Sequence, residues 1–230
     1  MFVFAPPAQT VIPVWGREKE LFPVRRIFSV ARNYADHAKE LGEKNQAPTF
    51  FCKPTDAAFY IGEKELGEVP YPSATQQLDY EVELAICIGK GGSDIAVEDA
   101  RSHVWGWAVA IDFTRRDLHN QAKAAKGPWD SAKAFDFSAP IGSVRPVDKT
   151  IDPSETDLWL YVNNERRQHG NSRDMIYNCD ELISEISKLW TLQPGDIILS
   201  GTPSGVGPVK PGDVIEAGVN GVGTIKFKMV

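Results

Sequence analysis

LDYEVELAICIGK, residues 78–90, is the stretch from which the rest of the chain can be read. Its alternation is that of a β-strand. Tyr80, Val82 and Leu84 point one way; Glu81, Glu83 and Ala85 point the other. Two carboxylates therefore stand side by side on one face. The strand runs on into Ile86, Cys87 and Ile88, an apolar run expected to be buried. Adjacent carboxylates near a core repel, and burying them uncompensated is costly or raises a pKa. A hard divalent cation relieves that cost, because carboxylate oxygens are the ligands Mg²⁺, Mn²⁺ and Ca²⁺ prefer. The alternative is an edge strand whose polar face is wet, with both glutamates in water.

Downstream, WAVAIDF (107–113) reads as a strongly apolar strand with one charge, Asp112. A lone ionised Asp in such a strand needs a partner. If this strand neighbours the two-glutamate strand, three acids make one oxygen-rich pocket, which with water fills a Mg²⁺ shell. Alternatively, Asp112 ends its strand and caps a helix beginning near Thr114. The next segment, TRRDLHNQAKAAKGPWDSAKAFD (114–136), presents Arg115, Arg116, Lys123, Lys126 and Lys133, of which Lys123 and Lys126 are expected to be solvated. Residues 97–105, before the apolar strand, are expected to be helical with Ala100 and Val104 inward.

Upstream, IFSVA (27–31) is a short buried strand and TFFCK (49–53) another, broken by Pro54; Lys53 faces either a site or solvent. Residues 34–41 predict a short helix ended by Gly42. His37 and Glu40 would share its face. A histidine held by a carboxylate is the arrangement of a general base, although the same spacing suits a solvated surface pair. In the C-terminal half, LWLYV (158–162), a turn at Asn163 and Asn164 and a return strand at 166–169 make a hairpin. Residues 179–190 carry Leu182, Ile183, Ile186, Leu189 and Trp190 at helical spacing, capped by Asn178 or Asp180. PGDIIL and PGDVIE each turn into a strand, flanking the glycine-rich GTPSGVGP (201–208). That loop could cradle an anion, but it lacks the phosphate-loop signature.

The chain has 230 residues and a net charge of −6, with no basic block, which argues against nucleic acid as a partner. Three scattered cysteines, Cys52, Cys87 and Cys179, form no CxxC pair, so neither zinc nor a disulfide framework is expected; each reads as a small apolar filler. MFVFAPPAQT is neither a signal peptide nor a membrane span, and cytoplasm is the default location. Residues 1–24, rich in proline, read as an N-terminal extension with short strands near 11–15. Residues 25–230 read as one catalytic domain.

With these pieces in order, the chain resembles the fumarylacetoacetate hydrolase family. The matching motifs are RNYADHAKELG, FFCKP, LDYEVELAICIG, IDFTRRDLHNQ, AKAFD and GDIILSGTPSGVGP, together covering roughly 25–230. The resemblance implies a mainly β, α+β fold: a mixed β-sandwich roll with flanking helices. It implies Mg²⁺ or Mn²⁺ bound by Glu81, Glu83 and Asp112, a His37–Glu40 dyad that activates water on a mobile lid, and an active-site Lys133. It implies Thr202 as a substrate contact and Arg116 as a brace for the metal ligands. A homodimer acting on a small diketo acid, away from any membrane, is expected. VIPVWG, ELFPVRRI and FTRRDL are most similar to members that hydrolyse fumarylpyruvate in aromatic catabolism. Acylpyruvate hydrolysis, oxaloacetate decarboxylation and oxo-acid isomerisation are the alternatives within the family, and a non-catalytic binder the alternative outside it. Ala31 departs from the usual glycine and His119 from the usual glutamine, which touches the choice of substrate. Arg32, Arg115 and His119 are the candidates for reading a second substrate carboxylate.

Overall fold

The computed structural model describes residues 1–34, 47–63, 65–148 and 151–230. Its centre is an eight-stranded sheet. The main path runs Thr49–Lys53, Arg26–Ala31, Asp196–Leu199, Val82–Ile88, Val104–Ile111, Ala139–Ile141 and Ala58–Tyr60, and Arg145–Pro146 also pairs with Val104–Ile111. A five-stranded sheet holds the hairpin Asp157–Val162 and Glu165–Asn171, followed by Val214–Val219, Gly223–Met229 and Gly67–Val69. A three-stranded sheet joins Thr114–Arg115, Leu78–Tyr80 and Gly207–Val209. The fold is mainly β with flanking helices, as expected.

Both faces of the eight-stranded sheet are covered, so its middle strands read as unbroken apolar runs. Leu84, Ile86, Val109, Ile111 and Ile198 pack towards the five-stranded sheet, against Leu160, Ile215, Ala217 and Phe227, and towards Ile183 and Ile186 of the Cys179–Leu189 helix. Ala85, Cys87, Ala108, Ala110 and Ile197 belong to a second core with Ile12, Val14 and Phe22. These last come from an antiparallel hairpin of Val11–Val14 with Arg17–Pro23, so the proline-rich start has regular pairing. Asn178 caps the Cys179–Leu189 helix, accepting from the Asp180 and Glu181 N–H groups while Glu181 reaches back.

Two local expectations need correction. Residues 97–105 form only a helical turn at Val97–Ala100 and a 3₁₀ turn at Arg101–His103; Val104 already belongs to a strand. Pairing of Val104–Ile111 with Val82–Ile88 outweighs the local helical pattern. Cys52 is exposed, unlike Cys87 and Cys179, and is no core filler.

Candidate metal centre

Three segments cross from the eight-stranded to the three-stranded sheet at one level. One crosses at Glu81, between Leu78–Tyr80 and Val82–Ile88. The second crosses at Asp112 and Phe113, between Val104–Ile111 and Thr114–Arg115. The third crosses at residues 200–206, between Asp196–Leu199 and Gly207–Val209. The two-glutamate stretch is thus two strands divided at Glu81. Its register pairs Val82 with Ile111 and Glu83 with Ala110. One further bond, from the Asp112 N–H to the Glu81 carbonyl at 2.8 Å, sets Glu81 opposite Asp112. Period-two alternation then puts Glu83 beside them on the same face. One carboxylate oxygen from each of the three acids lies within 4.8 Å of the others, and all three residues are buried.

Cations surround this cluster. Lys133, the last residue of the short Asp130–Lys133 helix, places Nζ 2.9 Å from Glu81 Oε2 and 3.2 Å from Asp112 Oδ2. Arg116 lies 2.7 Å from Asp79 and 3.1 Å from Glu81 Oε1, which also accepts from the Thr114 hydroxyl at 2.9 Å. Lys53 Nζ stands 2.8 Å from Asp112 Oδ1, with its side chain wholly buried. The choice for Lys53 between site and solvent therefore falls to the site. Asp112 is not a helix cap, because the Arg116–Ala125 helix starts at Arg115 without a side-chain cap.

Glu83 receives the 2.6 Å N–H of Gly201. Burial, then Asp112 and Glu81, push its carboxyl well above the usual carboxylate range. Gly201 can serve this way because its φ is +92° and a Cβ would meet Asn33 Cβ at 2.7 Å. Burial opposes charge on Lys133, yet Asp112 and Glu81 hold its pKa above the ordinary lysine value. A buried cluster of three carboxylates, in which Asp112 Oδ1 has no hydrogen-bond partner among the described residues, fits a hard divalent cation such as Mg²⁺ or Mn²⁺. Glu81, Glu83 and Asp112 are the residues that would hold it.

The cluster forms the floor of a cavity of about 500 Å³, whose lining includes Arg32, Phe51, His119, Asn120, Lys123 and Trp129. Arg116, Lys133 and Thr202 also reach it. The Thr202 hydroxyl is committed to the frame: it donates to the Val82 carbonyl at 2.8 Å and accepts from Gln168 at 2.8 Å. Arg115 turns elsewhere, with its guanidinium 4.1 Å from the Phe135 ring centre and a 3.2 Å bond to the Ser131 carbonyl. His119 packs on Trp129, and burial, with Arg116 and Lys133 nearby, lowers its pKa to about 4. It is neutral near pH 7 and offers no cation. Lys123 is exposed, as expected, and also lines the cavity. His37 and Glu40, with the helix expected around them, lie outside the described residues.

Sequence reading singled out neither Gln168 nor Trp129. The one available signal for Trp129 was an aromatic beside the Gly127–Pro128 break.

The family model for the fumarylacetoacetate (FAA) hydrolase C-terminal region matches residues 26–230. A mitochondrial oxaloacetate decarboxylase of Dictyostelium discoideum is 45% identical over 201 residues, 87% of this chain and 91% of that protein. A mitochondrial oxaloacetate tautomerase of Arabidopsis thaliana is 45% identical over 203 residues, 88% of this chain and 89% of its own. Among solved structures, fumarylpyruvate hydrolase from Pseudomonas aeruginosa, in complex with Mn²⁺ and pyruvate, superposes with a TM-score of 0.97. It is 40% identical, and the match covers 100% of this chain and 99% of that one.

Proposed function

Because this chain belongs to the fumarylacetoacetate hydrolase family, we propose that it is a divalent-metal-dependent hydrolase. It cleaves the C3–C4 bond of a 2,4-dioxo acid, with fumarylpyruvate converted to fumarate and pyruvate. The observation that carries this reading is the buried acid cluster with Lys133 directed at two of its members. A full-length neighbour that holds Mn²⁺ and pyruvate supports it. Mg²⁺ as the resident ion, a homodimer and a cytoplasmic location belong to the same reading. So does the division into residues 1–24 and a catalytic 25–230. Among the described residues no helix is long and apolar enough to cross a membrane.

Glu81, Glu83 and Asp112 would hold the divalent cation, which when bound would supply Lewis acidity to the oxo-acid end of the substrate. Lys133 sets positive charge where the departing enolate develops its negative charge. Arg116 and Thr114 hold Glu81 in place for this. The family resemblance assigns the proton of the attacking water to His37, oriented by Glu40. Water adds to C4, the C3–C4 bond breaks, and the pyruvate enolate takes up a proton. Arg32, in the cavity lining with its guanidinium over the Trp129 ring, is assigned to the second carboxylate.

A second reading, oxaloacetate decarboxylation or tautomerisation, is favoured by the names of the relatives at 45% identity. Purified protein with Mg²⁺ should be offered fumarylpyruvate, acetylpyruvate and oxaloacetate, following diketo-acid absorbance and pyruvate release. Fumarylpyruvate should be preferred over acetylpyruvate by orders of magnitude in kcat/KM, since the neutral arm leaves the distal site unpaired. His37→Ala should cut hydrolysis by about 10²–10⁴-fold and spare oxaloacetate turnover. Oxaloacetate as the best substrate would transfer the assignment to the second reading.

A further inference from the structure

Trp129 is the hub of the cavity wall, and the mechanism above gives its indole no task. Its carbonyl closes the Asp130–Lys133 turn, accepting from the Ala132 N–H at 2.8 Å and the Lys133 N–H at 3.1 Å. The indole and the active-site lysine are therefore tied one helical turn apart, and both line the cavity. From Lys133 the wall continues through aromatic rings. Lys133 Nζ lies 5.3 Å from the Phe51 ring centre, Phe51 meets Trp129 edge-on at 6.3 Å, and Trp129 meets His119 at 5.1 Å. Burial, with Arg116 nearby, keeps His119 neutral near pH 7. Arg32 stands over the indole, its guanidinium 6.0 Å from the ring centre. Its backbone is held at φ +63°, a conformation rare for a residue with a Cβ and one that clusters at ligand-binding positions. The wall that joins the Lys133 ammonium to the Arg32 guanidinium is thus uncharged and aromatic.

We propose that Trp129 is a specificity-determining residue whose indole selects a flat, conjugated acyl arm. This rests on the diketo-acid hydrolase reading above and names the class of arm: a trans-unsaturated chain ending in a carboxylate. Lys133 meets one end of the substrate, at the enolate, and Arg32 the other, at the distal carboxylate. The chain between them lies on the indole. A trans double bond conjugated with the C4 carbonyl makes that chain a stiff strip with a π face, which stacks on an aromatic ring and has little rotamer freedom to lose. A saturated arm of equal length carries the same carboxylate but has a freely turning bond in place of the double bond, so fixing it on the wall costs more. Charge at Arg32 cannot tell the two arms apart; the flatness of the wall can.

The test compares fumarylpyruvate with succinylpyruvate, its saturated counterpart, using the full chain with Mg²⁺. The variants are Trp129→Leu and the longer Trp129→Met, which lack a ring, and Trp129→Phe, which keeps one, with folding checked by circular dichroism. All three retain the main-chain bonds to Ala132 and Lys133. The readout is the ratio of the two kcat/KM values. Damage to the metal site or to Lys133 lowers both and leaves the ratio alone, and comparison with the wild type cancels the intrinsic reactivity of the enone. Wild type should favour fumarylpyruvate, either ringless variant should lower the ratio by about tenfold, and Trp129→Phe should retain most of it. An unchanged ratio in a folded ringless variant, a Trp129→Phe ratio as low as theirs, or no preference in the wild type overturns the role of the indole while leaving the hydrolase reading standing. Failure of the wild type to turn over either diketo acid overturns that reading, and this inference with it.

Discussion

At the scale of single residues, Glu83 is the most exacting member of the cluster. It is buried, its carboxyl is pushed up by burial and by two neighbouring acids, and it receives a backbone N–H. A ligand that binds only the folded state stabilises it, by about 2.7 kcal/mol at a hundredfold excess over Kd. For a chain of this length that is roughly 5–10 °C in Tm. Saturating Mg²⁺ or Mn²⁺ should raise the wild-type melting temperature by about this much, and Glu83→Gln should lose both the rise and turnover. A variant keeping the full metal-dependent shift would remove Glu83 from the ligand set. His119 yields a prediction of another kind. Its pKa falls from 6.5 in the unfolded chain to about 4 in the fold, through burial and then Arg116. Between those values the unfolded chain takes up a proton that the folded one refuses, so stability present above pH 6.5 is lost as pH falls towards 4. His119→Gln should flatten that part of the Tm-against-pH curve; an unaltered slope would mean the ring is not held neutral.

At the scale of elements, the crossing between sheets is braced by one side chain. Gln168, on the Glu165–Asn171 strand, accepts the Val82 N–H at 3.0 Å and donates to Thr202 Oγ1 at 2.8 Å and to the Pro203 carbonyl at 2.9 Å. Gln168→Leu leaves these groups buried without their partner, at about 1–3 kcal/mol for each one unsatisfied. Tm should fall by at least ~4 °C and kcat/KM with it; a melting curve within a degree of wild type would show that the brace is dispensable. Such an element is hard to read in a sequence. The acids were legible because period-two alternation needs only the residues themselves. Gln168 was not, because its partners lie in strands distant along the chain. Lys53, at a strand end before a proline, looks the same whether it points inward or outward. Arg115 and Arg116 are neighbours of one type, and only the start of the Arg116–Ala125 helix separates them. Residues 97–105 went astray because pairing with a remote strand overrode local periodicity. The hairpin at 157–171 and the Cys179–Leu189 helix were legible, since their turn, cap and stripe are local.

At the scale of the whole molecule, the order of strands differs from their order in the chain. Asp196–Leu199 lies between Arg26–Ala31, to which it is parallel, and Val82–Ile88, to which it is antiparallel. Those two earlier strands therefore have no contact in the sheet until the late one is inserted between them. Gly201, which holds Glu83, follows directly. During biosynthesis the glutamates emerge early and wait. At ~5–20 residues per second the ribosome takes on the order of 6–25 s to reach the glycine that completes their setting. Through that interval the nascent chain carries an acidic pair on an apolar strand with one edge unfilled, a species for chaperones to shelter. Cation capture then waits on a residue more than a hundred positions downstream, and a loaded site certifies that the chain has been made through Gly201.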